Sequence, residues 1–264
     1  MGAARRAAQG GIEAALITDW TFYAVAIPAV ILVGLAKGGF SGMGALSLPA
    51  LAFVVNPVQA AAIMLPILIV QDVVGVFAFR RTVDWPVLGW MLPGAAAGVA
   101  LGYGFAASVT PEAVMAAVGV ISALFGAYRL WLARNALPRE TARMPEWVGS
   151  LFGVASGFTS QIAHAGQPPF QLWVLPRKLA PQVLVGTTAI FFAAVNWIKV
   201  PAYLALGQFT RENLLTAAAL LPVAVASTLA GVWLVRRIAP DRFYTAIYWL
   251  MILVGVALVW EAIA

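Results

Sequence analysis

The chain contains no cysteine and a single histidine, His164, among its 264 residues, and only 10% of it is charged. Without thiols there are no disulfides, no thiol redox chemistry and no thiolate metal site, and one imidazole does not make a histidine metal centre. No metal and no cofactor are therefore expected. Soluble domains carry roughly 25% charged residues. So low a share, beside 62% hydrophobic residues and a mean hydropathy of +0.92, excludes an ordinary soluble enzyme. No nucleotide-binding motif, activated nucleophile or paired-acid constellation stands out either, so the chain is not expected to be an enzyme at all.

What the sequence does have is a series of apolar runs separated by short basic clusters. The net charge of +6 resides largely in Arg5-Arg6, Arg80-Arg81, the stretch Arg134 to Arg143, Arg177-Lys178 and Arg236-Arg237. Clusters between apolar spans mark cytoplasmic loops, so the charge speaks of topology in a cytoplasmic (inner) membrane and not of nucleic acid. Residues 1–19 read as an N-terminal tail, since the first long apolar run starts too far in for a cleaved signal.

The first run spans about Trp20 to Ala36, with Asp19 or Thr18 as its N-cap. It ends in Lys37-Gly38-Gly39-Phe40-Ser41-Gly42-Met43-Gly44, four glycines in eight residues. Each glycine costs a helix interior about 1 kcal/mol relative to alanine, so the helix should break there. A short run from Ala45 to Val55 follows, then a turn at Asn56-Pro57. Three full-length segments come next, about Val58 to Phe79, Pro86 to Ala107 and Glu112 to Ala133, each long enough to cross a hydrocarbon core of about 30 Å. An arginine-rich linker, 134–146, precedes the second half.

The second half repeats the first. At an offset of 119 (34 to 153), Gly34, Gly38, Ser41 and Pro49 fall on Gly153, Gly157, Ser160 and Pro168. At an offset of 129 (93 to 222), Pro93, Gly102, Pro111, Gly126 and Trp131 fall on Pro222, Gly231, Pro240, Gly255 and Trp260. The fold predicted is an all-α polytopic membrane protein of two repeats, 20–133 and 147–264, each a broken or re-entrant hairpin followed by three crossing helices. With the basic loops placed inside, Asn56-Pro57 lies outside while its mate near Pro181 lies inside. The repeats should thus be inverted, a plan in which broken helices hold substrate near the midplane. The crossing count stays between six and eight, and the side of the N-terminus stays open.

Candidate binding residues gather around the breaks. Backbone that leaves a helix inside a membrane must be buried in protein or face a wet cavity, and Gln161 to Pro169 is such a stretch. Pro168-Pro169 predicts a half-helix running to Pro176, whose amino end would favour an anion, with His164 and Gln167 adding side-chain donors. Lys37, Ser41, Ser47 and Pro49 make the matching arrangement in the first half. On the segment from Pro181 to about Leu206, Thr187 accompanies Asn196 and Lys199, which share a helix face. Ionisable groups inside a bilayer usually face a pathway or a partner. Lys199 has two readings, an anion ligand or a side chain that snorkels to the interface, and Pro201 beside it predicts a local break. His164 is either a ligand or a satisfied core hydrogen-bonder. In the first half, Gln71 and Asp72 occupy the equivalent segment, for proton coupling or for pairing with a base such as Lys37. The small-residue run Gly94 to Gly102 predicts close helix packing, and Trp85, Trp90, Trp131, Trp147 and Trp260 predict interfacial anchors.

At these residues the chain resembles the TauE/SafE family, also called the sulfite exporter or 4-toluene sulfonate uptake permease family. The first motif runs from Gly38 through Pro49. The second is Thr159-Ser160, His164-Ala165-Gly166-Gln167-Pro168-Pro169, Gly186-Thr187, Phe191-Phe192, Asn196 and Lys199, with Gln167 standing where a subgroup of the family usually has a second glycine. The resemblance implies a secondary transporter of small sulfur-containing anions such as sulfite or organosulfonates. Its expected partners are that small anionic substrate, membrane lipid, a coupling ion and a second copy in a homodimer, with no nucleic acid. An anion channel, or a carrier of another small organic anion, is the alternative.

Overall fold

The computed structural model describes residues 17–38, 43–135, 144–234 and 241–263, and among them there are helices and turns but no strands. The first helix, α1 (Trp20–Lys37), starts where the Asp19 carboxylate accepts the Thr21 N–H at 2.9 Å. A 3₁₀ turn at Met43–Leu46 leads into the short α2 (Ser47–Leu51). Three long helices follow: α3 (Pro57–Phe79), α4 (Trp85–Ser108) and α5 (Pro111–Arg134). Each begins with a polar cap and a proline in the first turn: Asn56 before Pro57, Asp84 before Trp85-Pro86, Thr110 before Pro111. The cap oxygen takes an orphan N–H, and proline has none to satisfy. Asn56-Pro57, predicted as a turn, is thus also the start signal of α3.

The second half opens with α6 (Val148–Ala163) and α7 (Gln167–Val174), then a 3₁₀ turn at Leu175–Arg177. The long helices α8 (Pro181–Ala205), α9 (Arg211–Leu234) and α10 (Asp241–Ile263) complete the chain. Among the described residues, six helices are long and apolar enough to cross a membrane: α1, α3, α4, α5, α8 and α9. In α10 the apolar stretch is Tyr248–Ile263. Contrary to expectation, α8 does not break at Pro201 and runs on to Ala205.

Helix direction follows from the contacts. The turn after α3 lies against the start of α8, where Thr187 Oγ1 accepts the Asp84 N–H at 2.8 Å and a Cβ on Gly186 would come within 1.9 Å of the Thr82 carbonyl oxygen. Arg80-Arg81 and Arg177-Lys178 therefore sit at the same end of the bundle. At the other end Gln59 meets Asn213 at 3.2 Å, and Ile17 N–H meets Thr216 Oγ1 at 3.3 Å. Hence α1, α3, α5 and α9 run from the Asn56 end to the Arg80 end, while α4, α6, α8 and α10 run the opposite way. The short α2 turns back from the end of α1, and α7 turns back along α6 until Trp173 covers Gly149. Each makes a hairpin that returns toward the end it started from.

Small residues set the helix spacing. Along α4 and α6 a Cβ on Gly98 would lie 2.0 Å from the Val154 oxygen, and one on Gly157 would lie 2.1 Å from the Ala95 oxygen. On α5 and α10, Gly119 abuts Gly255 and Gly126 abuts Tyr248. Without a hydrophobic force between helices in lipid, such close approach supplies the van der Waals contact that holds them. The tryptophans predicted as anchors, Trp85, Trp90, Trp131, Trp147 and Trp260, are all exposed. Arg5-Arg6, Arg236-Arg237 and most of the 134–146 linker, with the topology read from them, lie outside the described residues.

Candidate functional site

The two hairpins and the middle helices α3 and α8 enclose a cavity of about 90 Å³, enough for a few waters or one small oxyanion. Lys37, Ser47, His164, Gln167 and Asn196, all expected at a binding site, line it. So do Ser160, Thr188 and Phe192, which complete the wall on the α6 and α8 sides.

His164 stands at the break between α6 and α7. Its backbone is left-handed (φ 49°, ψ 23°), and its N–H and that of Ala165 return to the Ser160 and Thr159 oxygens at 3.1 and 3.2 Å. Histidine tolerates this region better than most side chains, and the turn releases the chain from α6 while keeping its last carbonyls bonded. The imidazole Nε2 lies 3.0 Å from the Ala61 carbonyl oxygen and Nδ1 lies 2.7 Å from Lys199 Nζ. A carbonyl can only accept, so Nε2 carries the hydrogen and Nδ1 accepts from Lys199 Nζ. Tyr203 stacks on the ring.

Lys199 is fully buried, with His164 Nδ1 and the Ser160 oxygen (3.3 Å) as its partners. It does not snorkel. Three residues earlier on the same face, Asn196 donates to Asp72 Oδ2 at 2.6 Å, and Lys37 donates to the other oxygen of the same carboxylate. Lys37 also lies 5.8 Å from the centre of the Phe192 ring. Asp72 therefore does pair with Lys37. Among the described residues at and just behind the cavity wall, two lysines, Lys37 and Lys199, accompany one carboxylate, Asp72. Burying an ion costs several kcal/mol unless it is compensated, and the Asp72 carboxylate is compensated by Lys37 and Asn196.

Several of the expected ligands, and Gln71 of the expected coupling or pairing pair, have other duties. Thr187 points away from the cavity, bonded to the Val183 oxygen at 2.7 Å and to Asp84 N–H; Thr188, one residue and 100° of helix further, takes the cavity face. Gln161 is buried under Gly102 and does not line the cavity. Gln71 donates to the Val30 and Ala224 oxygens at 3.3 and 3.4 Å, tying α3 to α1 and α9. Ser47 reaches the cavity, but its hydroxyl hydrogen goes to the Ala29 oxygen at 2.8 Å. Ser41 lies outside the described residues.

The half-helix itself contributes fewer donors than expected. Pro168 and Pro169 have no N–H, and that of Phe170 is given to the Gly166 oxygen at 3.4 Å. Donors at the cavity wall thus come chiefly from side chains. Gly166 is obligatory for steric reasons, since a Cβ there would lie 2.6 Å from the Ser156 oxygen.

Among the described residues no cluster of three or more histidine, aspartate or glutamate side chains could hold a metal ion. Comparison with curated proteins and with solved structures returned no match. The sequence model of one family does match, described as Sulfite exporter TauE/SafE, over residues 26–258. That span takes in all the described cavity residues and every helix but the first residues of α1 and the last of α10, and on it the chain belongs to the TauE/SafE family of membrane proteins.

Proposed function

We propose that the protein is a secondary transporter that carries small sulfur-containing anions, sulfite or an organosulfonate, across the cytoplasmic membrane by alternating access of two inverted repeats. The observation that carries this reading is a small cavity between two re-entrant hairpins with two lysines and one carboxylate at and just behind its wall. The opposed directions of α3 and α8, and of α4 and α9, support the inverted arrangement, and the family description supports sulfite or a sulfonate as cargo. In this reading the anion sits beside Lys37, His164, Gln167 and Asn196, with Lys199 acting from behind the imidazole.

The test is exchange of radiolabelled sulfite and methanesulfonate in proteoliposomes, beside sulfate, phosphate and lactate. Saturable counterflow of a sulfur anion that disappears in Lys199→Met, while the variant stays folded, is the expected result. Flux that rises without saturation would point to an anion channel instead. Saturable exchange of lactate alone would move the cargo to another class of small organic anion.

A further inference from the structure

The two strongest donors on the cavity wall, Lys37 and Asn196, are both turned onto Asp72. Asp72 itself does not line the cavity, and it is only 3% exposed. Each of its oxygens is held by a different element, Oδ1 by the last residue of α1 and Oδ2 by the middle of α8. The carboxylate thus occupies the donors that an anion in the cavity would need, and holds the first hairpin to α8 while it does so.

We propose that Asp72 is the binding site of a coupling proton, and that substrate anion and proton enter together by exchange. The proton lands on an Asp72 oxygen, the carboxyl releases Lys37 and Asn196, and these two donors turn to the anion. The charges balance. Neither lysine changes its state in the exchange: the site gains one proton, which neutralises the Asp72 carboxylate, and one monoanion, so its net charge is the same before and after. One proton therefore accompanies each monoanion, and no net charge crosses the membrane in a full cycle. A pair that served packing alone would not need partners taken from the wall of a cavity.

The charged surroundings of Asp72 are few. Lys37 approaches from α1, Lys199 from α8, and His164 from the bend between α6 and α7. The α2 helix has no titratable side chain, Arg211 and Glu212 of α9 lie in its first turn, and those of α5 lie in its first turn and its last two. The remaining titratable side chains of α1 and α8 are Tyr23, in the first turn of α1, and Tyr203, against the His164 ring.

The inference rests on the transporter reading above, and the experiment separates the two. Methanesulfonate is the probe, because a sulfonate keeps one negative charge across the working range, so any pH dependence belongs to the protein. In proteoliposomes loaded with a pH dye and clamped at zero potential, methanesulfonate uptake should acidify the lumen by one proton per anion. Its apparent Kd should rise with pH, approaching about tenfold per unit for one obligate proton. In Asp72→Asn, anion binding should persist with a flat pH profile, and a proton gradient should no longer drive accumulation. Uptake that leaves lumenal pH unchanged, or an affinity equal at pH values two units apart, overturns the proposal while leaving transport standing. If Asp72→Asn does not fold, the parent protein's proton count decides alone. If no tested anion exchanges in the parent, the transporter reading fails and this one with it.

Discussion

At the scale of single residues the cavity is governed by what each buried polar group has lost. Lys199 depends on one imidazole nitrogen and one carbonyl, so His164→Ala should destabilise the protein by about 1–3 kcal/mol, the cost of leaving a buried donor short of its acceptor. Adding Lys199→Met removes the needy group, and thermal unfolding in detergent should then recover part of the loss, whereas anion binding should not recover. Recovery of both would mean that the ammonium has no part in binding. The two threonines at the start of α8 make a sharper contrast. Thr187→Val should lower stability, because Asp84 N–H loses its acceptor, and leave anion affinity near the parent's; Thr188→Val, which removes a hydroxyl whose hydrogen goes to the Leu184 oxygen, should change neither by much. At the edge of the membrane, the hydrogen bonds from Thr21, side chain first, hold the Asp19 carboxyl below its ordinary value. A lowered folded value means that its support of α1 is complete above about pH 4 and fades as pH falls below that. Amide exchange protection at Thr21 should follow that course.

At the scale of elements, glycine placement decides where substitutions are tolerated. Gly157→Leu drives a side chain into the Ala95 carbonyl and should cost about 1–3 kcal/mol or more through overpacking of α4 against α6. Gly89, on the same α4, faces open space, with no atom within 4 Å of where a Cβ would stand. Gly89→Ala should therefore raise the unfolding temperature by the helix propensity gained, about 1 kcal/mol. These elements are largely legible in the sequence. Apolar length and the cap-proline pairs define α3, α4 and α5 to within a residue or two, and the glycine run after Lys37 and the Gln161 to Pro169 stretch locate both hairpins. The rotation of the helices is harder to read. Asn196 and Lys199 do share one face, and eight residues before Asn196 on that face stands Thr188, so helical spacing favours it over Thr187. Gln71 and Gln161 cannot be sorted by pattern, because whether an amide turns to a cavity or to a neighbouring backbone depends on which helix packs beside it. Proline's missing N–H is visible in the sequence, and it weakens the amino end of α7 as an anion cradle.

At the scale of the whole molecule, the absence of cysteine makes sidedness easy to measure, because a single introduced thiol has no background. Thiols at Arg80 and Lys178 should react with an impermeant reagent from one side of the membrane, and thiols at Asn56 and Gln208 from the other. Reaction of Arg80→Cys and Gln208→Cys from the same side would break the proposed inverted arrangement. The hairpin of α6 and α7 has a further consequence, for how the protein is made. Its arms of 16 and 8 residues are too short to be inserted into a bilayer as ordinary spans, which need about 20. As the chain leaves the ribosome, this hairpin is expected to wait near the surface until α8 follows and Lys199 meets His164. Membrane insertion of the second half and completion of the cavity are then a single late event, and a nascent chain halted before residue 199 should leave the hairpin accessible to protease.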